Sequence, residues 1–252
     1  IVYIVAACAL IYGSFLNVVA WRMLHDRSFF APRSQCPHCD SIIAWYDNIP
    51  LLSYGVLGGR CRNCSASISA LYPLVELATT ILLVCLWSKS ESITSFCAYG
   101  VCMSALIVSL RTDLEALVIP QVCTMWLVPI GWLCAFEGWI DISLQESIIG
   151  SVLGFTSLWL VRYIFKKIMH KEGLGIGDAE LLAMLGAFIG PLGAWMALTV
   201  GSILGSLIGG FYIVAWEQDR NVRIPFGPFL IAGALVFFFT PAYIYQVLSG
   251  IY

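Results

Sequence analysis

Long apolar runs separated by short polar loops dominate the chain, and the lengths of the runs predict its elements. Ile1 to Trp21 carries no charge, and a helix of that length, rising about 1.5 Å per residue, covers roughly the 30 Å of a bilayer's hydrocarbon core. The first basic residue, Arg22, follows this run instead of preceding it, so a retained spanning helix is predicted and not a cleavable signal peptide. Further spans are predicted at Leu71 to Trp87, Ile93 to Leu110, Ala116 to Phe136 and Leu144 to Val161. Leu181 to Trp216 is uncharged throughout and would measure about 54 Å as one helix. Gly190-Pro191-Leu192-Gly193 interrupts it, which predicts two helices, the first of them short. A last run, Phe226 to Tyr252, holds Pro228 and Pro241, residues tolerated at helix ends or kinks inside a bundle.

The predicted fold class is therefore an all-α polytopic membrane protein with about eight transmembrane helices. Residues 1–21 form the first span, 22–70 a polar loop, and 71–252 a seven-helix membrane domain. Loop charge supports the count, because Lys and Arg are retained on the cytoplasmic side. With eight spans, twelve of the 13 Lys and Arg fall in alternate loops, among them Arg27, Arg33, Arg162, Lys171, Arg220 and Arg223, and only Lys89 falls opposite. Treating Leu181 to Trp216 as one helix would spoil that asymmetry. The polar loop and the loops after the third and fifth spans are then expected in the cytoplasm.

Composition agrees and excludes other classes. Of the 252 residues 60% are hydrophobic and 11% charged, against about 25% charged for a soluble domain. Nine Trp, 11 Tyr and 14 Phe suit interfacial belts, and 22 Gly suit close helix packing. A net charge of -2 provides no basic surplus for nucleic acid, so no nucleic-acid partner is expected. Membrane lipid is the expected surrounding.

The polar loop contains Cys36-Pro37-His38-Cys39 and, after 21 further residues, Cys61-Arg62-Asn63-Cys64. Two Cys-x2-Cys knuckles place four thiolates around one tetrahedral ion, as in a structural zinc ribbon, so Cys36, Cys39, Cys61 and Cys64 are the predicted Zn2+ ligands. Two disulfides compete with this reading, and the reducing compartment predicted for the loop disfavours them. His38 is left outside the site, since four Cys already close a tetrahedron. The other six cysteines, Cys8, Cys85, Cys97, Cys102, Cys123 and Cys134, lie in or beside apolar spans and are assigned to packing.

Carboxylates at membrane depth are costly and mark pathways, proton relays or catalytic sites. Asp113 lies where the third span emerges, and Asp178 closes Gly175-Ile176-Gly177-Asp178 at the start of the sixth. Both fall on the side predicted to be cytoplasmic. Two neighbouring carboxyls do not readily ionise together, so one keeps a proton while the other acts as a base. The plainer alternative is that Asp178 caps its helix and Asp113 pairs with Arg111.

At this point the chain resembles the type IV prepilin peptidases, bifunctional leader peptidase and N-methyltransferase enzymes that also serve type II secretion. The resemblance rests on Gly13-Ser14-Phe15-Leu16-Asn17-Val18-Val19 with Arg22, and on the two knuckles around Trp45-Tyr46-Asp47-Asn48-Ile49-Pro50-Leu51-Leu52-Ser53-Tyr54. It continues through Ile68-Ser69-Ala70-Leu71-Tyr72-Pro73-Leu74-Val75-Glu76, Asp113 seven residues before Pro120, and Lys171-Glu172-Gly173-Leu174-Gly175-Ile176-Gly177-Asp178. It implies that Asp113 and Asp178 are the catalytic pair of a Gly-x-Gly-Asp membrane aspartic peptidase in the bacterial inner membrane. The implied substrate is a prepilin or pseudopilin with a short basic leader, cut after a Gly at the membrane boundary. The implied second step methylates the new N-terminal residue with S-adenosylmethionine. The polar loop is assigned to methyl transfer by resemblance, with Glu76 as a candidate that could equally be an interfacial carboxylate facing solvent. Gln121 and Glu180 depart from the pattern, which often has Asp or Asn and Lys there, and are expected to leave the pair untouched while altering charge near Asp178.

Two other classes are weighed against this. A zinc-regulated transporter or channel would use Asp113 and Asp178 for ions or protons, but would usually show internal repeats and midplane carboxylates. A noncatalytic scaffold docking partners through the zinc loop would tolerate loss of either aspartate. The sequence does not specify an oligomeric state.

Overall fold

The computed structural model describes residues 1–25, 34–170, 174–215 and 224–240. Arg27, Arg33, Lys171, Arg220, Arg223 and the tail with Pro241 lie outside the described residues. Among the described residues eight α-helices follow in order: α1 (Val2–Leu24), α2 (Leu52–Val56), α3 (Leu71–Lys89), α4 (Ile93–Ala116), α5 (Val128–Phe136), α6 (Leu144–Met169), α7 (Ile176–Ala215) and α8 (Gly227–Phe239). Among the described residues there is no β-strand, only two isolated antiparallel bridges. Helices α1, α3, α4, α6 and α7 are long and apolar enough to cross a membrane, whereas 121–136 and α8 are shorter apolar segments. The chain divides into two compact units, Ile1–Thr112 and Asp113–Tyr252, within α4.

In the first unit α1 packs against α3 through a small residue. A Cβ on Gly13 would lie 3.0 Å from the Glu76 backbone and the Thr79 side chain, so only glycine lets the two helices approach this closely. Asn17, buried in α1, donates from Nδ2 to the Tyr72 carbonyl at 3.0 Å. Tyr12 donates to Ser104 of α4 at 3.0 Å, and Trp87 meets Phe96 edge to face across the α3–α4 turn.

The second unit is organised around α7. Its spanning window is 72% buried against 22% for α1 and α6, which marks it as the interior helix. Glycines line its contacts: the backbones of Gly150 on α6 and Gly186 on α7 touch directly, Gly131 on α5 meets Ala187, and Gly233 on α8 meets Ala197. Without an aqueous hydrophobic drive between spans, such close backbone approach supplies the packing energy. Helix α6 begins with a capping box, in which Ser143 Oγ accepts from the Glu146 amide and Glu146 accepts from the Ser143 amide.

Helix α7 breaks at Gly190, where the sequence predicts an interruption. Gly190 has φ 73° and ψ -179°, and Pro191 follows it. Proline has no N–H, so the Ala187 carbonyl four residues earlier loses its helical donor. The buried hydroxyl of Ser147 on α6 donates to that carbonyl instead, as a lipid-embedded backbone requires.

The predicted span from Ala116 to Phe136 does not form one helix. Helix α4 ends as Leu117 turns into left-handed backbone, φ 56°. Two short 3-10 turns follow at Gln121–Cys123 and Met125–Leu127 before α5 starts. Pro120 and Pro129 withhold two amide donors, and Thr124, at φ -126° and ψ -88°, separates the turns. The thiol assignment also changes: Cys102, Cys123 and Cys134 are buried as predicted for packing, whereas Cys8, Cys85 and Cys97 lie on exposed faces of apolar helices.

Candidate active site and metal-binding loop

In the second unit, Asp113 occupies the last turn of α4 and Asp178 the first turn of α7, and both are buried. Their carboxyls lie within Coulombic range of each other. Each is held by a glycine amide. Gly227 N–H, at the start of α8, donates to Asp113 Oδ2 at 3.1 Å. Asp178 accepts from the amide of Gly175.

Glycine at these positions lets the carboxylates sit close against the backbone. A Cβ on Gly227 would stand 2.6 Å from Asp113 Oδ2, and one on Gly175 would stand 3.2 Å from Asp178 Oδ2. Gly177 lets the wall of α7 close on Ile119, 3.0 Å from where its Cβ would be. A cavity of about 280 Å³ lies beside the Gly227 segment, lined by Ser202, Gly205 and Ser206 of α7 and by Pro225, Phe226 and Phe229.

Gly227 was missed in the sequence because its contribution is an amide N–H, which every residue but proline carries. The available signal was Pro225-Phe226-Gly227-Pro228, a glycine beside the proline that opens a helix. Gln121 and Glu180, noted in the sequence as departures from the family pattern, are bonded to each other. Glu180, buried on α7, accepts from Gln121 Nε2 at 3.0 Å and from Thr124 Oγ1 at 3.2 Å.

In the first unit the four predicted cysteines converge. Their Sγ atoms all lie within 4.8 Å of one another, with Cys36 and Cys64 at 3.8 Å. An ion bound tetrahedrally by four thiolates at about 2.3 Å sets sulfur–sulfur edges of about 3.8 Å, so the donor set fits a metal ion. All ten cysteines are free thiols, which removes the disulfide alternative from this structure. His38 is exposed and is not part of the group.

The two knuckles are copies of one backbone fold, 25 residues apart. Cys36 N–H donates to the Ser41 carbonyl and Asp40 N–H to the Cys36 carbonyl; Cys61 and Ser65 make the same two bonds with Ala66 and Cys61. Bridges Gln35–Ile42 and Arg60–Ser67 flank them. Asp40 and Ser65, each following the second cysteine of its pair, have φ 53° and 58°. These turns aim amides at sulfur. The Cys64 and Asn63 amides pull the Cys61 thiol down to about 6, and bonds from Ser41 lower Cys39. Cys64 accepts from the Ala66 amide, yet loss of water and the other three sulfurs push it up to about 12. Four thiolates so close repel one another unless a cation shares their charge.

Glu76 is buried, not facing solvent. It accepts from the Leu51 amide at 2.9 Å and from the Ser14 hydroxyl, fixing Leu51 in a strained backbone at φ 61°. Elsewhere in the loop, Arg62 grips Asp47 with a two-pronged pair at 2.8 and 2.6 Å.

Comparison with known proteins accounts for both regions. The bacterial peptidase A24 N-terminal domain matches residues 7–90, and the type IV leader peptidase family matches residues 100–214. The prepilin leader peptidase/N-methyltransferase of Aeromonas hydrophila is 37% identical over 259 residues, covering 89% of this chain and 86% of that protein. The proteins of the same name from Burkholderia pseudomallei strain 1026b and Pseudomonas aeruginosa PAO1 are 34% and 36% identical, covering 93% and 89% of this chain and 84% and 85% of theirs. No solved structure matches the chain significantly. With a glycine-held carboxyl pair in the segment that one model matches, a four-cysteine loop in the other, and relatives at 34–37% identity over most of both chains, the chain belongs to the type IV leader peptidase family.

Proposed function

We propose that this protein removes the leader from prepilins and pseudopilin-like substrates at the cytoplasmic face of the bacterial inner membrane, and methylates the new N-terminus. The observation that carries the peptidase reading is the buried pair Asp113 and Asp178, each oriented by a glycine amide within one unit. In the reaction, the ionised carboxyl takes a proton from water while the water oxygen bonds to the scissile carbonyl carbon. The protonated carboxyl gives its proton to the carbonyl oxygen. The tetrahedral intermediate then breaks its C–N bond as a proton returns to the leaving amine, and no acyl-enzyme forms. Glycines at 175, 177 and 227 leave room for an extended peptide beside the pair. The cavity at Phe226 and Phe229 suits an apolar substrate side chain.

For the loop, Zn2+ is the fitting ion. When bound to Cys36, Cys39, Cys61 and Cys64 it supplies structural cross-linking of the two knuckles. The relatives' shared name includes N-methyltransferase, and S-adenosylmethionine, when bound, supplies an electrophilic methyl group. Glu76 serves that half-reaction indirectly. Its carboxylate is engaged by Leu51 and Ser14, so it holds the loop against α3 and leaves recognition of the methyl donor to other groups.

The test is mass spectrometry of a coexpressed prepilin, which reads cleavage position and added methyl together. Asp113→Asn and Asp178→Asn are each expected to abolish leader removal while the protein still inserts. Wild-type cleavage by either variant would overturn the dyad and favour an ion-binding role for the pair.

A further inference from the structure

We infer that Glu180 is a positioning residue for the peptidase: with Gln121 and Thr124 it forms a hydrogen-bonded clamp that fixes the separation of Asp113 and Asp178. This rests on the dyad reading above and adds to it a residue outside the pair.

Two residues apart on a helix, side chains diverge by about 200°, so Glu180 does not share the face from which Asp178 projects. It acts through the backbone. From Asp113 the chain runs through the left-handed turn at Leu117, where the Leu117 amide closes on the Asp113 carbonyl at 3.0 Å, to Ile119 and Pro120. Gln121 and Thr124 then reach Glu180, and two residues along α7 stands Asp178. Covalent and hydrogen-bonded links thus form an open ring with the two catalytic carboxyls at its ends.

The segment within the ring has little other regular support. It is built of 3-10 turns, with Thr124 in an unusual backbone conformation and its hydroxyl fully buried. Of the three acceptors within reach of that hydroxyl, Glu180 Oε2 at 3.2 Å is the nearest, ahead of the Gln121 and Pro120 carbonyls at 3.4 and 3.5 Å. Glu180 satisfies one donor with each oxygen. Removing it leaves a buried hydroxyl to rebond locally and frees the link between α4 and α7, and small misplacements of reacting groups are costly to rate.

The clamp depends on matched donors and acceptors, which makes it testable by exchange. Glu180→Gln keeps an acceptor for Gln121 and offers Thr124 an amide donor, so cleavage should stay within about threefold of wild type. Glu180→Ala should lower kcat about tenfold to a hundredfold per folded molecule with KM little changed. Gln121→Glu sets two carboxyls against each other and should also lower kcat, and adding Glu180→Gln to it should restore the rate. All variants are assayed as full-length protein in detergent against a synthetic prepilin peptide, normalised to folded protein, with Asp113→Asn alongside. An unchanged kcat for Glu180→Ala overturns the clamp, as does failure of the exchange to rescue Gln121→Glu. Cleavage by Asp113→Asn would instead overturn the dyad.

Discussion

In the cysteine loop, the four sulfurs come from two stretches of six residues, 36–41 and 61–66, each closed by its own amide bonds. The aspartate pair is built the other way. Asp113 depends on an amide 114 residues further along the chain, and Asp178 stands on a helix whose close approach to its neighbours runs through glycines such as Gly131, Gly150, Gly186 and Gly233. The loop thus carries its geometry in local turns, and its cohesion would come from an ion shared by the four sulfurs. The aspartate pair carries its cohesion in helix packing and leaves little geometry to local sequence. The two regions should therefore fail for different reasons and independently.

The largest expected effect comes from stripping the ion. Structural zinc contributes on the order of 10 kcal/mol to small metal-folded domains. Cys36→Ser, or chelation of the purified protein, should abolish metal content and loop folding, and with them methyl transfer. Leader removal should be reduced far less. The check is metal analysis by mass spectrometry together with limited proteolysis between residues 34 and 70; a loop equally protected without metal would break the comparison on that side.

Next in size is Gly227→Ala. The added carbon would stand 2.6 Å from Asp113 Oδ2 and force the carboxylate off its amide. Leader removal should fall about a hundredfold, while metal content and the thermal midpoint of the loop stay unchanged. A variant that cleaves normally would show that the glycine amide does not set the geometry of Asp113.

The smallest effect is at the loop surface. The Arg62 guanidinium beside Asp47 holds that carboxyl below its usual range. A depressed carboxylate contributes its stability above the unfolded value, near pH 4, and loses it as pH falls through the folded value. Because Arg62 is solvent-exposed, Asp47→Asn should lower the thermal midpoint only slightly at pH 7, and the difference from wild type should shrink as pH falls below the unfolded value. A difference that does not shrink on acidification would assign Asp47 a role other than its ion pair.

The same contrast explains what could be read in advance. Cys36, Cys39, Cys61 and Cys64 were legible because chelation writes itself into spacing, and Gly190-Pro191 was legible because those residues cannot continue a helix. The repeat of the knuckle backbone was not, since apart from the cysteines little is shared between Ser34–Ile42 and Gly59–Ser67 at the level of side chains. Asp113 and Asp178 stood out as carboxyls at the ends of apolar spans, and the resemblance added their role, but their glycine partners did not stand out, because an amide donor leaves no residue-type signature. The segment from Ala116 to Phe136 reads as a span by hydropathy alone. It breaks into turns before α5 because Pro120 and Pro129 withhold amide donors and the side chains of Gln121 and Thr124 bond Glu180, a partner far along the chain.

The hydroxyl that Ser147 lends to Ala187 carries a consequence for biogenesis. Released alone into lipid, α7 would present a bare carbonyl at its break with neither water nor amide to receive it. The donor sits on the helix synthesised just before. The hairpin of α6 and α7 is accordingly the smallest piece of this unit that a translocon could hand to the bilayer without stranding a polar group, and Asp178 reaches its depth only as a passenger of that pair.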